Sequence, residues 1–161
     1  MTTHDAPWSM PLVFISSTTS LLCLILAGVI GGGFVKLPAW VALFPLAFLV
    51  VAALFTVRYY MVSQDAVIVQ RLLWKTRLPL AGLKSAWHDP MAMTKSLRTF
   101  GNGGLFSFTG FYTNKTLGPY RAYVSDPNRA VIMDFGSSKV VVSPREPEQF
   151  IQEITASRPL G

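Results

Sequence analysis

Charge is scarce in this chain. Its 161 residues carry 14 Lys plus Arg and 8 Asp plus Glu, 14% in all, against about 25% in an ordinary soluble domain. Cysteine is limited to Cys23, and histidine to His4 and His88. That excludes a disulfide-stapled secreted module and leaves no paired His or Cys spacing for a metal. The length excludes a large multidomain enzyme. The shortage of charge is also uneven: residues 12–57 hold one charged side chain, Lys36, whereas 58–161 hold 13 basic and 7 acidic ones. The chain therefore divides into an N-terminal tail (1–11), an apolar membrane segment (12–57) and a basic domain (58–161) large enough for one hydrophobic core.

Within the apolar segment, 12–35 and 37–57 are each long enough to cross a hydrocarbon layer of about 30 Å as a helix. Only Lys36 and Pro38 mark the break between them, so the expected structure is a tight transmembrane hairpin that returns the chain to its starting side. A cleaved signal peptide fits less well, because no Lys or Arg precedes residue 12 and the run exceeds a typical signal core. Trp8, Tyr59 and Tyr60 would mark one interface, and Phe34 and Trp40 the other. Gly28 and Gly32, four residues apart, offer a face for close helix packing, first of all with the second helix. Pro45 should kink that second span. Arg58, Arg71, Lys75 and Arg77 on the domain side outnumber Lys36 on the other, so the positive-inside rule puts the domain and both termini in the cytoplasm. No Asp, Glu, Arg or His lies within either span, so no proton relay, ion path or voltage sensor is expected.

From residue 59 the pattern changes to short β-branched and aromatic runs separated by turn formers. Strands are expected near 59–62, 67–74, 105–112, 120–124, 130–135 and 139–142, with 78–80 and 83–87 as weaker candidates, which suits a sheet of about seven strands. The period then lengthens. Phe150, Ile151 and Ile154 share one helix face that opens near Pro147 and Glu148 and stops at Arg158 and Pro159. The fold class is thus an α+β membrane protein, with a two-helix hairpin followed by a bent antiparallel sheet or partly open barrel and a closing C-terminal helix.

Several segments carry a resemblance. The stretch Ser96-Leu97-Arg98-Thr99-Phe100-Gly101-Asn102-Gly103-Gly104-Leu105-Phe106 is one; Gly110, Leu117-Gly118-Pro119-Tyr120-Arg121-Ala122-Tyr123, Val142-Ser143-Pro144 and Pro147-Glu148-Gln149-Phe150-Ile151 follow it. Together they resemble bacterial pleckstrin-homology-like domains, over roughly residues 58–157. The resemblance implies a seven-stranded bent sheet with a C-terminal helix, often placed after a pair of membrane helices, and no particular ligand.

Candidate chemistry is thin. His4 falls in the tail, and His88 stands beside Asp89 and Pro90 without a nucleophile-elbow motif, so catalytic residues are not expected. Asp126, Asp134, Glu146 and Glu148 belong to turns or a helix start, and neither a metal nor another cofactor is expected. The most distinctive feature is Arg98 followed by Gly101, Asn102, Gly103 and Gly104. Such a loop can aim successive N–H groups at an anion, or can simply supply the positive φ of a tight turn. Arg121 joins Arg98 as a candidate headgroup contact. The remaining basic side chains are dispersed, which suits attraction to anionic lipid and not a nucleic-acid interface. The expected function is a non-enzymatic binding module at the bacterial inner membrane. It would hold a protein partner, another copy of itself or anionic headgroups, and the alternative is an accessory subunit of a transporter or envelope complex acting through its helices.

Overall fold

The computed structural model describes residues 1–157; the expected helix stop at Arg158 and Pro159 lies outside them. It is an α+β structure with two sheets, apolar helices in its N-terminal part, a C-terminal helix and, among these residues, no closed barrel. The first element is a strand, β1 (Thr2–Asp5), where the sequence suggested only a tail. Its run of Thr, Thr, His and Asp has no apolar alternation to announce it. It forms because it pairs antiparallel with β2 (Val57–Val62), in the register Thr2↔Val62 to Asp5↔Tyr59.

Between these two strands lie the apolar helices. α1 (Met10–Gly31) opens on Ser9, whose hydroxyl accepts from Leu12 N–H, with Pro11 in its first turn. Its 22 residues span about 33 Å, and it is long and apolar enough to cross a membrane. The second apolar helix, Ala39–Leu54, is shorter. It begins as a 3₁₀ turn and continues as α2 (Leu43–Leu54), about 24 Å in all. The expected span 37–57 thus shrinks at both ends: Leu37 and Pro38 stay in the connection, while Val57 already belongs to β2. Pro45 is the seventh residue of this continuous helix and the third of its α-helical part. A Cβ on Gly28 would meet nothing within 4 Å, one on Gly32 would meet its own helix and Phe34, and one on Gly31 would approach the second helical segment, at Ala42.

The first sheet runs β1-β2-β3-β4, with β3 (Ala66–Arg71) and β4 (Lys75–Pro79). The expected strand 67–74 stops at Arg71, and Leu72, Leu73 and Trp74 form the turn into β4. The second sheet runs β5-β9-β10-β8-β7-β6, built from β5 (Ser85–His88), β6 (Leu97–Gly103), β7 (Phe108–Asn114), β8 (Gly118–Val124), β9 (Val131–Asp134) and β10 (Lys139–Val142). It is mixed and not wholly antiparallel: β10 lies parallel to β8, with Val141 opposite Ala122. A short 3₁₀ turn at Pro127–Arg129 carries the chain from β8 to β9, so β10 can insert beside β8 in that direction.

Tyr60 ties the sheets together. It is fully buried, so it cannot serve as the interface anchor expected of it. Its hydroxyl donates to Tyr123 O at 2.6 Å and accepts from Ser143 N–H at 3.1 Å. Ser143 Oγ in turn accepts from the N–H groups of Ser125 and Asp126. Burial outweighs these hydroxyl contacts and pushes the Tyr60 phenol up to about 12. α3 (Pro147–Ala156) closes the open edge. Its Phe150 and Ile154 are fully buried, and Phe150 meets Tyr60 and His4 edge-on.

His4 is therefore part of the domain core, not of a loose tail. Its Nε2 lies 2.9 Å from Glu153 Oε2 of α3, and Thr2 Oγ1 donates to the same oxygen. Burial alone would raise the Glu153 carboxyl, but hydrogen bonds from Thr2, His4 and Gln149 outweigh it and hold the group below its ordinary range. Because α3 and β1 brace each other through Phe150, Phe150→Ala should cost about 3–5 kcal/mol. Chemical denaturation of the full chain in detergent should read this as an earlier unfolding midpoint; an unchanged midpoint would show that α3 is not part of the core.

Candidate functional site

The glycine-rich stretch forms the end of β6 and its turn into β7. Gly101 and Gly110 face each other in register, with φ of +113° and +137°. A Cβ on Gly101 would come within 2.3 Å of Thr109 O, and one on Gly110 within 2.1 Å of Phe100 O. Glycine is thus required by close backbone approach as well as by φ. That is why β6 forms despite a sequence poor in strand formers.

The turn's N–H groups are engaged within the protein. Gly104 N–H donates to Ser107 O at 3.1 Å, and Leu105 N–H to Asn102 Oδ1 at 3.1 Å. Phe106, held at φ +64°, donates to Ser16 Oγ of α1 at 2.9 Å. Arg98 Nη1 donates to Gly101 O at 3.0 Å and folds over Gly103. These bonds favour the tight-turn role over a nest of N–H groups aimed at an anion. They also give the turn a task, which is to fasten the domain to its helices. Ser107 Oγ donates to Phe55 O just after α2 at 3.0 Å, and Trp8 packs against Phe106. Ser16 opens a run of five hydroxyl residues, Ser16-Ser17-Thr18-Thr19-Ser20, inside the apolar segment. That run was the available sign that one helix face meets polar backbone.

Arg98 and Arg121 do not converge. A bulge between Arg98 and Phe100 shifts the register of β6, so Arg98 aligns with Tyr112 and Tyr120 while Arg121 aligns with Phe111. Arg98 and Tyr112 border a cleft of about 520 Å³ formed with Met91, Met93, Thr94 and Ser96. Tyr112 and Tyr120 stack there at 5.9 Å, and Tyr120 Oη donates to Ser96 Oγ at 2.7 Å. Burial, partly offset by Arg98, pushes the Tyr112 phenol up to about 12. An apolar groove of about 540 Å³ separates the β6 edge from the helices, with Ile15, Phe48, Val51 and Phe55 facing Phe100 and Leu105.

On the other face, Arg121 lies over the rings of Phe111 and Tyr123, at 5.4 and 5.2 Å. A second guanidinium shares Tyr123: Arg71, at 4.9 Å, also lies 5.8 Å from Phe55 and 5.5 Å from Trp74. Arg71 is only 7% exposed. Desolvation lowers its affinity for a proton, with Arg121 adding to the effect and Tyr123 opposing it. In the sequence Arg71 is one of several scattered basic residues, and nothing local distinguishes it; only the fold brings three aromatic rings around it.

The histidines have structural partners. His88 Nε2 lies 3.2 Å from Asn128 O and its Nδ1 3.6 Å from Glu148. Among the described residues, no three His, Cys, Asp or Glu side chains gather as metal ligands.

Gly101→Ala should destabilise the fold by at least about 2 kcal/mol, given the close approach to Thr109 O. That corresponds to a fall of roughly 4–8 °C in thermal midpoint. Gly28→Ala, with open space around it, should leave the midpoint essentially unchanged. A Gly101→Ala protein as stable as Gly28→Ala would rule out the close backbone pairing.

The bacterial PH domain family matches residues 58–157, a span that takes in nearly all of β2, then β3 to β10 and α3, and omits β1 and the two apolar helices. No curated protein and no solved structure matches the chain significantly. The sheets, the C-terminal helix and that match over well over half of its length establish that the chain belongs to the bacterial PH domain family.

Proposed function

We propose that the chain is a membrane-anchored, non-enzymatic binding module, with α1 and Ala39–Leu54 holding the PH domain against the cytoplasmic surface of a bacterial inner membrane. The observation that carries this reading is the placement of both helices outside the core. Phe14, Leu21, Leu22, Phe44 and Val50 are all exposed, and an apolar surface of that extent needs a nonaqueous environment.

The β1–β2 pairing supports a return to the starting side. Both ends of the helical segment are sewn into one sheet, so a chain that enters the bilayer after Ser9 must leave it on the same side before Val57. The second helix is short for a bilayer, but the seven residues from Gly32 to Pro38 add reach at the far end. The excess of Arg and Lys beside the domain supports a cytoplasmic position.

The binding surfaces on this reading are the two clefts and the Arg121 face, which would take a protein segment, a second copy or anionic headgroups. The second reading, an accessory subunit acting through its helices, is favoured by one observation, the unpacked face of α1 at Gly28. Replacing the helices with an unrelated hairpin separates the two: the binding module keeps its partner after the exchange, and the accessory subunit loses it.

In a Cys23→Ser background, a membrane-impermeant maleimide added to intact cells should label Lys36→Cys and spare Thr3→Cys until the membrane is opened. Labelling of Thr3→Cys in intact cells would overturn the orientation.

A further inference from the structure

Arg71 is an unusual residue to find buried. Among the described residues no carboxylate pairs with it, its Nε has no hydrogen-bond acceptor, and the charged side chain acting on it is another cation, Arg121. The Tyr123 hydroxyl is likewise buried without a hydrogen-bond partner, although Thr76 and Arg71 are its polar neighbours. Stacking on Phe55, Trp74 and Tyr123 offsets part of the cost of burying a guanidinium. It satisfies none of the N–H donors and does nothing for the repulsion from Arg121. An anion carrying several acceptor oxygens would answer both deficits at once.

The surroundings indicate where that anion comes from. Phe55 directly follows α2, and Arg71 sits opposite Val57 in the β2–β3 ladder, so the cluster lies at the helix end of the domain. The turn after Arg71 presents Leu72 and Leu73, 45% and 72% exposed, next to Trp74 and Lys75. Exposed leucines beside a Trp and cationic side chains suit the boundary between headgroups and acyl chains.

We infer that Arg71, Arg121 and Tyr123 form a binding site for the phosphate of an anionic phospholipid, with Leu72 and Leu73 dipping into the adjacent leaflet. The inference rests on the membrane-anchored reading and gives that module its ligand class. It also separates Arg121 from Arg98 and the glycine turn, which face elsewhere.

Native mass spectrometry of the full chain in neutral detergent tests the site, with phosphatidylglycerol and phosphatidylcholine offered in equal amounts. The wild-type protein should retain phosphatidylglycerol in preference. Arg121→Ala, a change at an exposed side chain that leaves the core intact, should weaken that retention by about tenfold, the loss expected for one charge-assisted contact. Arg71→Lys, which keeps the charge but loses the planar fork, should do the same. Lys115→Ala, at the far β7–β8 turn, should leave retention unchanged.

Equal retention of the two lipids, or an Arg121→Ala protein that behaves like Lys115→Ala, would overturn the site. Complete displacement of phosphatidylglycerol by inorganic phosphate would overturn the lipid assignment in favour of a soluble anion. Membrane retention after alkaline carbonate washing tests anchoring separately, so a failed anchor and a failed site give different results.

Discussion

Four residues at the N-terminus govern the architecture. β1 pairs with β2, and these two strands stand on either side of the apolar helices in the chain. The helices therefore form a closed excursion from a single sheet, with both ends fixed a few ångströms apart. A domain hung on a flexible linker could tilt and drift from its anchor; here Ser9 N–H donates to Ser125 O, Phe106 N–H to Ser16 Oγ and Ser107 Oγ to Phe55 O, so helices and domain are joined at three separate places. On the proposed membrane reading, the orientation of the domain over the lipid is set by these bonds.

This fastening explains several otherwise odd features. The positive φ of Phe106 is a conformation that side chains other than glycine rarely adopt, and it aims that residue's N–H at Ser16. The close pairing of Gly101 with Gly110 lets the β6–β7 hairpin reach the helices. The buried knot of Tyr60, Ser143 and Ser125 lies where the first sheet meets β8 and β10, so the sheet carrying β1 is locked to the sheet carrying the glycine turn. A polar cluster of this kind is favourable only when its members are satisfied, and the Tyr60 hydroxyl meets that demand with both a donor and an acceptor.

Elements declared by local pattern were legible in the sequence. The apolar first helix follows from its composition, α3 from the spacing of Phe150 and Ile154, and β8 to β10 from β-branched and aromatic runs. Features that depend on partners distant in the chain were not. β1 has no alternation of its own, β6 is disguised by glycine and asparagine, and the parallel β8–β10 pair follows from the route through Pro127–Arg129. The candidate site divides in the same way. The glycine turn was visible as a motif, but its role depends on Ser16, 90 residues away. Arg121 was singled out, yet its companion is Arg71 and not Arg98, because a bulge in β6 changes which residues share a face.

Disulfide trapping of β1 against β2 in native membranes tests the closed excursion most directly. With Cys23→Ser, the pair Thr3→Cys and Met61→Cys, which face each other in register, should oxidise readily. After solubilisation and cleavage at a protease site inserted between residues 35 and 37, the two fragments should stay joined until reductant is added. Fragments that separate without reductant, to the same extent as a control pairing Thr3→Cys with Lys115→Cys, would contradict the account and leave the N-terminus outside the domain.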